Sequence, residues 1–366
     1  MNQDLALRIL GEIMKWDTDR ARNEFAWLRL ISRLKYDDYQ AFLIGARFVE
    51  CLADWLQQFA PEEREIAYSF VRRNLVYIGT TEMQHLVELV VPEVVQRRLL
   101  SAIATRLQIP TYLIWSQPEA TTAYEQLLRK IVFLGLSDGA CMDDFRRANA
   151  GIISNEQVVM APQINKAKWD DLLDNLRKDL QDPSARFSFV FLLDDFVASG
   201  TTLLRETGGI WKGKLLRFWD DTQSVIASHF EDDWVLHVHH YIATYRASDA
   251  VEERHEEIRR TKGPDQWFQK VEFSFGTILP KDFPIDEQRY SDFIRLSEKY
   301  YDPIIQTRHA DVGGESMHLG FADCALPLIL EHNTPNNSVA LLWADTEGTN
   351  GHHAMRPLFR RRQRHL

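Results

Sequence analysis

Residues 187–206 read FSFVFLLDDFVASGTTLLRE, and this stretch decides the fold. Phe187 to Leu193 is apolar except for Ser188, and rich in Phe, Val and Leu. That is the composition of a strand buried on both faces of a parallel sheet. Two adjacent carboxylates, Asp194 and Asp195, stand at its carboxyl end, where open α/β sheets bind their ligands. Ala198, Ser199, Gly200, Thr201 and Thr202 then form a short, small, hydroxylic loop, and LLRE is expected to open a helix. A loop of this kind offers backbone N–H groups, a glycine for close approach and the positive end of a helix, which suits a phosphate. Paired carboxylates suit vicinal hydroxyls or a hydrated Mg²⁺. A phosphate acceptor beside a diol acceptor has the shape of a ribose 5-phosphate.

Context carries this signal, because Asp-Asp alone is common here. Asp37–Asp38, Asp143–Asp144, Asp170–Asp171, Asp220–Asp221 and Asp232–Asp233 are further pairs. Only Asp194–Asp195 follows a buried strand and precedes a Gly/Ser/Thr loop. Around it, short β-rich runs alternate with helical ones. KIVFLGL, WVLHVHHYIATY, VEFSFGTIL and SVALLWAD read as strands, while KWDDLLDNLRKDL, TLLRETGGIW and YSDFIRLSEKYY read as helices. That alternation predicts an α/β domain with a largely parallel sheet. Before it, from Asp4 to about Gln108, apolar residues recur three and four apart, which predicts four to six packed helices. Trp16, Trp27 and Trp55 are expected in their core, with a partner-docking surface as the other reading. The division expected is a helical domain at 1–110, an α/β domain at 111–350 and a basic C-terminal tail at 351–366, the first boundary being soft.

The motif VFLLDDFVASGTT resembles the ribose-phosphate signature of type I phosphoribosyltransferases: four apolar residues, two acids and an Ala-Thr-Gly-Gly-Thr loop. Ser199 replaces the first threonine of that loop and Thr201 its second glycine. The resemblance implies that Asp194 and Asp195 hold the 2- and 3-hydroxyls of phosphoribosyl pyrophosphate, with Mg²⁺, while Ala198 to Thr202 wrap its 5-phosphate. It also implies a pyrophosphate loop after an earlier strand. KIVFLGLSDGACMDDFRRAN supplies Ser137, Asp138 and Gly139 there, without the family's basic residue, so Arg146 and Arg147 would have to reach in. A lid over the site would fall in SNEQVVMAPQINKAKW, with Lys166 and Lys168 as its charges. More loosely, the helical region and residues 320–343 resemble phosphoribosyltransferase-like proteins of bacterial conflict systems, including retron-type antiphage loci. That likeness implies a nucleotide-metabolising effector with a protein or nucleoprotein partner, and self-association stays open. A sensor that binds the ligand without catalysis is the alternative. Under the likeness to conflict-system proteins, His332, Asn333 and Asn336 would lie on a loop near the site and face a base or acceptor. As plain chemistry, the same residues make an Asn/Pro turn between a helix and the strand SVALLW.

Other patterns carry less. GGIWKGK (208–214) has the spacing of a P-loop but puts Leu215 where Ser or Thr is needed, and is expected to be a helix-end turn. His237 and His239 share a strand face, as metal ligands or, more commonly, as packed imidazoles. Cys141 reads as a small buried hydrophobe. With a net charge of −10, the chain is a poor general nucleic-acid coat. The C-terminal arginines Arg356, Arg360, Arg361, Arg362 and Arg364 are expected to lie on a frayed, solvated tail, or to touch a nucleic acid or acidic partner. Three scattered cysteines, no leader-like start and no long apolar run imply a cytoplasmic, membrane-free protein.

Overall fold

The computed structural model describes residues 3–263, 266–306, 316–348 and 351–362. The chain divides into two compact units. Residues 84–280 form one; residues 1–83 and 281–366 together form the other. This differs from the expected division at residue 110 and from a separate tail after 350.

Residues 84–280 carry the expected parallel sheet. Its strands, in chain order, are β1 (Ile131–Gly135), β2 (Val158–Val159), β3 (Phe187–Val197), β4 (Phe230–Thr244) and β5 (Val271–Leu279). They lie side by side in the order β2-β1-β3-β4-β5, every pair parallel. The apolar runs follow from coverage of both faces. Val132, Leu134, Val190, Leu192, Leu236 and Val238 are buried in a cluster with Trp169 and Leu172 of helix Lys166–Leu180 and Phe218 of helix Lys214–Thr222. On the other side Phe133 packs against Phe191 and against Phe145 of helix Met142–Ala148.

Local readings fail where apolar spacing does not distinguish a helix from a hairpin. LLRE opens no helix. Arg205–Thr207 and Ile210–Lys212 form a two-stranded antiparallel ribbon, and the helix starts only at Lys214. Gly208 and Gly209, expected at a helix end, are the hairpin turn. Both have positive φ (60° and 79°), which a two-residue turn of this type requires and glycine supplies. Near the other end, the expected strand SVALLWAD is a short 3₁₀ turn at Ala340–Leu342. The expected helix before the Asn/Pro turn is instead the strand Leu328–Leu330, paired in parallel with Val76–Ile78.

The histidines of β4 are structural. His237 Nδ1 faces Glu272 Oε2 at 3.3 Å, and its Nε2 lies 2.7 Å from Ser274 Oγ. His239 Nδ1 lies 2.8 Å from the same hydroxyl, and Arg98 Nε donates to Glu272 at 2.7 Å. One arrangement of protons satisfies the chain with neutral rings. His239 donates to Ser274, Ser274 donates to His237, and His237 donates to Glu272. Burial pushes the His239 and His240 rings down to about 3.

Helices Gln3–Met14, Thr18–Leu34, Phe48–Gln57 and Arg64–Asn74 belong to the other unit, with helix Glu287–Lys299. Trp55 is fully buried, and Trp16 and Trp27 pack half-buried against the same core. Phe70 stacks on Phe293 with centroids 3.6 Å apart. The C-terminal segment corrects the tail expectation. Met355, Leu358 and Phe359 are buried, and the Phe359 ring meets Tyr36, Tyr39, Phe42 and Phe48. Arg360 pairs with Asp345 at 2.6 Å, and Arg361 lies over the Trp343 ring. An arginine-rich end here is a core-forming strap whose charges leave at its margins. Arg364 lies outside the described residues. Among those described, no helix is long and apolar enough to cross a membrane, and the cysteines are free thiols.

Two outcomes follow. Phe359→Ala is expected to destabilise the fold by about 3–5 kcal/mol, as loss of a buried ring does, read as a lower denaturant midpoint. For the histidines, the unfolded rings titrate near the ordinary value of about 6.5. Between that pH and about 3, the unfolded chain binds protons that the folded rings refuse, so stability falls as pH drops. Each ring contributes a slope of about 1.4 kcal/mol per pH unit. His240→Phe, which keeps a ring against Phe275, should flatten the slope between pH 6 and 5. An unchanged slope would refute the assignment.

Candidate functional site

β1 and β3 run together as far as Gly135 and Leu193, and Leu136 N–H donates to Leu193 O at 2.8 Å. There β1 turns away, while β3 continues to Val197 on its β4 side alone. Asp194 and Asp195 therefore lie within the strand, not beyond it, at the step where the sheet loses one neighbour. This step is also where the strand order reverses, β2 lying to one side of β1 and β3 to the other. Open parallel sheets bind ligands at such a switch point. Gly135 is required at the edge, because a Cβ there would come within 2.7 Å of Met142 Cγ and 2.9 Å of Met160 O.

The two acids have different surroundings. Asp194 is 3% exposed, accepts a hydrogen bond from Ser137 Oγ, and pairs with Lys214 Nζ at 2.6 Å. Burial holds its carboxyl above the usual carboxylate range, the Lys214 charge opposing and the Asp195 charge adding. Asp195 is half-buried, and its Oδ1 accepts from Phe196 N–H at 2.8 Å. Successive strand side chains leave on opposite faces, which separates the pair's duties.

The loop after β3 is braced from behind. Thr244 Oγ1 donates to Ala198 O at 2.6 Å and also caps helix Tyr245–Lys262. From that helix, Arg254 Nη1 donates to Ser199 O at 2.9 Å and Leu204 O at 3.3 Å. Gly200 has φ +70°, and a Cβ on it would lie 2.8 Å from Val251 Cγ1 and 2.9 Å from Arg254 Nη1. Leu203 N–H and Leu204 N–H both donate to Gly200 O, closing a tight turn. Ser199 and Thr201 hydroxyls are 2.9 Å apart. Thr201 does not have positive φ, so the position where the signature has a second glycine needs none here.

The loop after β1 is a 3₁₀ turn, Asp138–Ala140, fixed by the buried Tyr241, whose hydroxyl donates to Ala140 O at 2.6 Å. Ser137 is thus brought to Asp194. Arg146 and Arg147 are engaged elsewhere, each paired with an acid of its own helix, Asp143 and Asp144. Lys166 and Lys168 likewise pair with Asp170 and Asp171. His332, Asn333 and Asn336 belong to the other unit. There Leu330 and Asn333 bridge across a turn, Asn333 Oδ1 accepts from Arg362 N–H at 2.8 Å, and Asn336 O accepts from Phe321 N–H at 2.7 Å.

Lys214 and Arg254 are the residues the sequence reading missed. Lys214 stands in the GGIWKGK stretch, where the P-loop spacing drew attention to its glycines. The usable signal was a lone lysine opening a helix shortly after two acids. Among the described residues, no three or more His, Cys, Asp and Glu side chains gather to hold a metal ion. Asp194, already neutralised by Lys214, is a poor ligand for a resident cation. Asp195 suits one carried in by a diphosphate.

Neither the curated proteins nor the solved structures gave a match to the chain. The model of the PRTase-CE family matches residues 52–361, reaching through both compact units. With that span matched, the chain belongs to the PRTase-CE family, which is phosphoribosyltransferase-like.

Proposed function

We propose that the carboxyl edge of β1 and β3 binds a ribose 5-phosphate group, carried by phosphoribosyl pyrophosphate or a nucleotide. The observation that supports this most is the coincidence of Asp194–Asp195 and the braced Ala198–Thr202 loop with the switch point of the sheet. In this reading the loop takes the 5-phosphate, Asp194 and Asp195 accept from the ribose hydroxyls, and Ser137 begins the wall on the diphosphate side. Catalysis would break the bond from C1 to diphosphate and form one from C1 to an acceptor. In this reading Asp195 would stabilise positive charge developing on the sugar, and positioning would supply much of the rate. Bound Mg²⁺ would neutralise the leaving diphosphate.

A nucleotide-metabolising effector in an antiphage system is the biological role we favour. It rests on the resemblance of the helical region and residues 320–343 to conflict-system proteins, and it brings a protein or nucleoprotein partner with it. One observation favours a non-catalytic sensor instead. Arg146 and Arg147 lie on exposed pairs with Asp143 and Asp144 of their own helix, and neither is drawn to Asp194 or Ser137 as Lys214 is to Asp194.

Calorimetric titration separates the two. Phosphoribosyl pyrophosphate with Mg²⁺ should bind more tightly than AMP or ribose 5-phosphate. Gly200→Val should weaken all three by about a hundredfold, the worth of one or two charge-assisted hydrogen bonds. Equal affinity for AMP and the diphosphate, with no diphosphate released on incubation, selects the sensor. No binding by the wild type sinks both. For the biological role, expression without a partner should arrest growth, and Asp195→Asn should abolish the arrest. Growth unaffected by wild-type protein would count against an effector.

A further inference from the structure

Lys214 touches both halves of the site. Its backbone N–H donates to Thr202 O at 3.0 Å, and the next residue, Leu215, donates to Leu203 O at 3.1 Å. Its side chain ends 2.6 Å from Asp194 Oδ2. Gly213 makes this docking possible. It has φ +137°, and any Cβ there would strike the Leu203 carbonyl. The hairpin 205–212 thus folds back so that one lysine joins the phosphate loop to the acid of β3. Its side chain is about one-fifth exposed and that of Asp194 almost wholly buried, so the pair excludes most water.

An isolated buried carboxylate costs several kcal/mol, so neither partner can leave unless its charge is met by something else. A ligand carrying only hydroxyls, or only a phosphate, meets one of the two demands. A ligand with both meets them together.

We propose that Lys214 is a latch. It is parked on Asp194 when the site is empty, and it swings to the anionic group of a ligand whose hydroxyls replace it at the carboxylate. This rests on the ribose-phosphate reading above and assigns to Lys214 the positive charge that the loop after β1 lacks. It also makes the site selective for molecules that present hydroxyls and an anion within the reach of one lysine side chain. Sugar phosphates belong to that class; free sugars and inorganic phosphate do not.

The test is calorimetric, with ribose 5-phosphate, ribose and inorganic phosphate as probes. Wild-type protein should bind ribose 5-phosphate far more tightly than the other two. Asp194→Asn releases Lys214 and should bind inorganic phosphate on the order of tenfold more tightly than wild type, about one charge-assisted hydrogen bond. Asp194→Asn/Lys214→Met should lose that gain, while Asp194→Asn/Lys214→Arg should keep most of it. Asp194→Asn/Lys214→Met removes both charges of the pair, so it reports on binding even where Lys214→Met alone fails to fold. If the wild type binds ribose 5-phosphate but Asp194→Asn gains nothing for phosphate, the pair is a static brace and the latch is wrong. If the wild type binds no sugar phosphate, the underlying reading falls and the latch with it.

Discussion

β3 has a strand partner on both sides only as far as Leu193; beyond it, β4 alone holds the backbone. Backbone pairing is obligatory in a buried strand, so ending it on one side is costly unless polar groups take over. Here the takeover is chemical. Asp195 N–H donates to Asp194 Oδ1 at 3.2 Å and Phe196 N–H to Asp195 Oδ1 at 2.8 Å, while Ser137 and Lys214 close on Asp194 from the side that β1 has left. The placing of Asp194, Asp195 and Ser137 hangs from that difference in strand length. β1 sets where the gap opens, and β4 keeps β3 straight long enough to carry two acids into it.

The parts legible in the sequence were those written in uninterrupted local runs. IVFLG and FSFVFLL had to be covered on both sides, and a parallel sheet is the simplest way to cover them. Asp194–Asp195 stood out against five other acid pairs because of what flanked it. Elements whose identity depends on distant partners were not legible. TLLRETGGIW has helical spacing, yet two glycines at positive φ turn it into a ribbon. LPLILEH likewise reads as a helix until Val76–Ile78 is found beside it.

The missed cation and the misread tail share one cause: charge drew the eye from the apolar or backbone features that decide position. Lys214 takes its meaning from the Leu203 and Thr202 carbonyls, which no spacing rule connects to it. Five arginines in RPLFRRRQRHL suggested solvent or nucleic acid, while Leu358 and Phe359 between them were the anchoring residues. Arginine serves such a segment well, because its stem packs along aromatic rings while its head reaches outward.

The anchoring of Phe359 has a consequence for how the protein is made. The ribosome releases the helices around Tyr36 and Phe48 well before Phe359, the ring that fills the space among Tyr36, Tyr39, Phe42 and Phe48. The sheet of residues 84–280 can complete its pairing while that earlier unit still waits. Until Phe359 emerges, the waiting helices expose aromatic surface of the kind chaperones bind. A message cut short between the sheet and the codon for Phe359 would therefore yield a finished sheet attached to an unfinished, aggregation-prone helical unit.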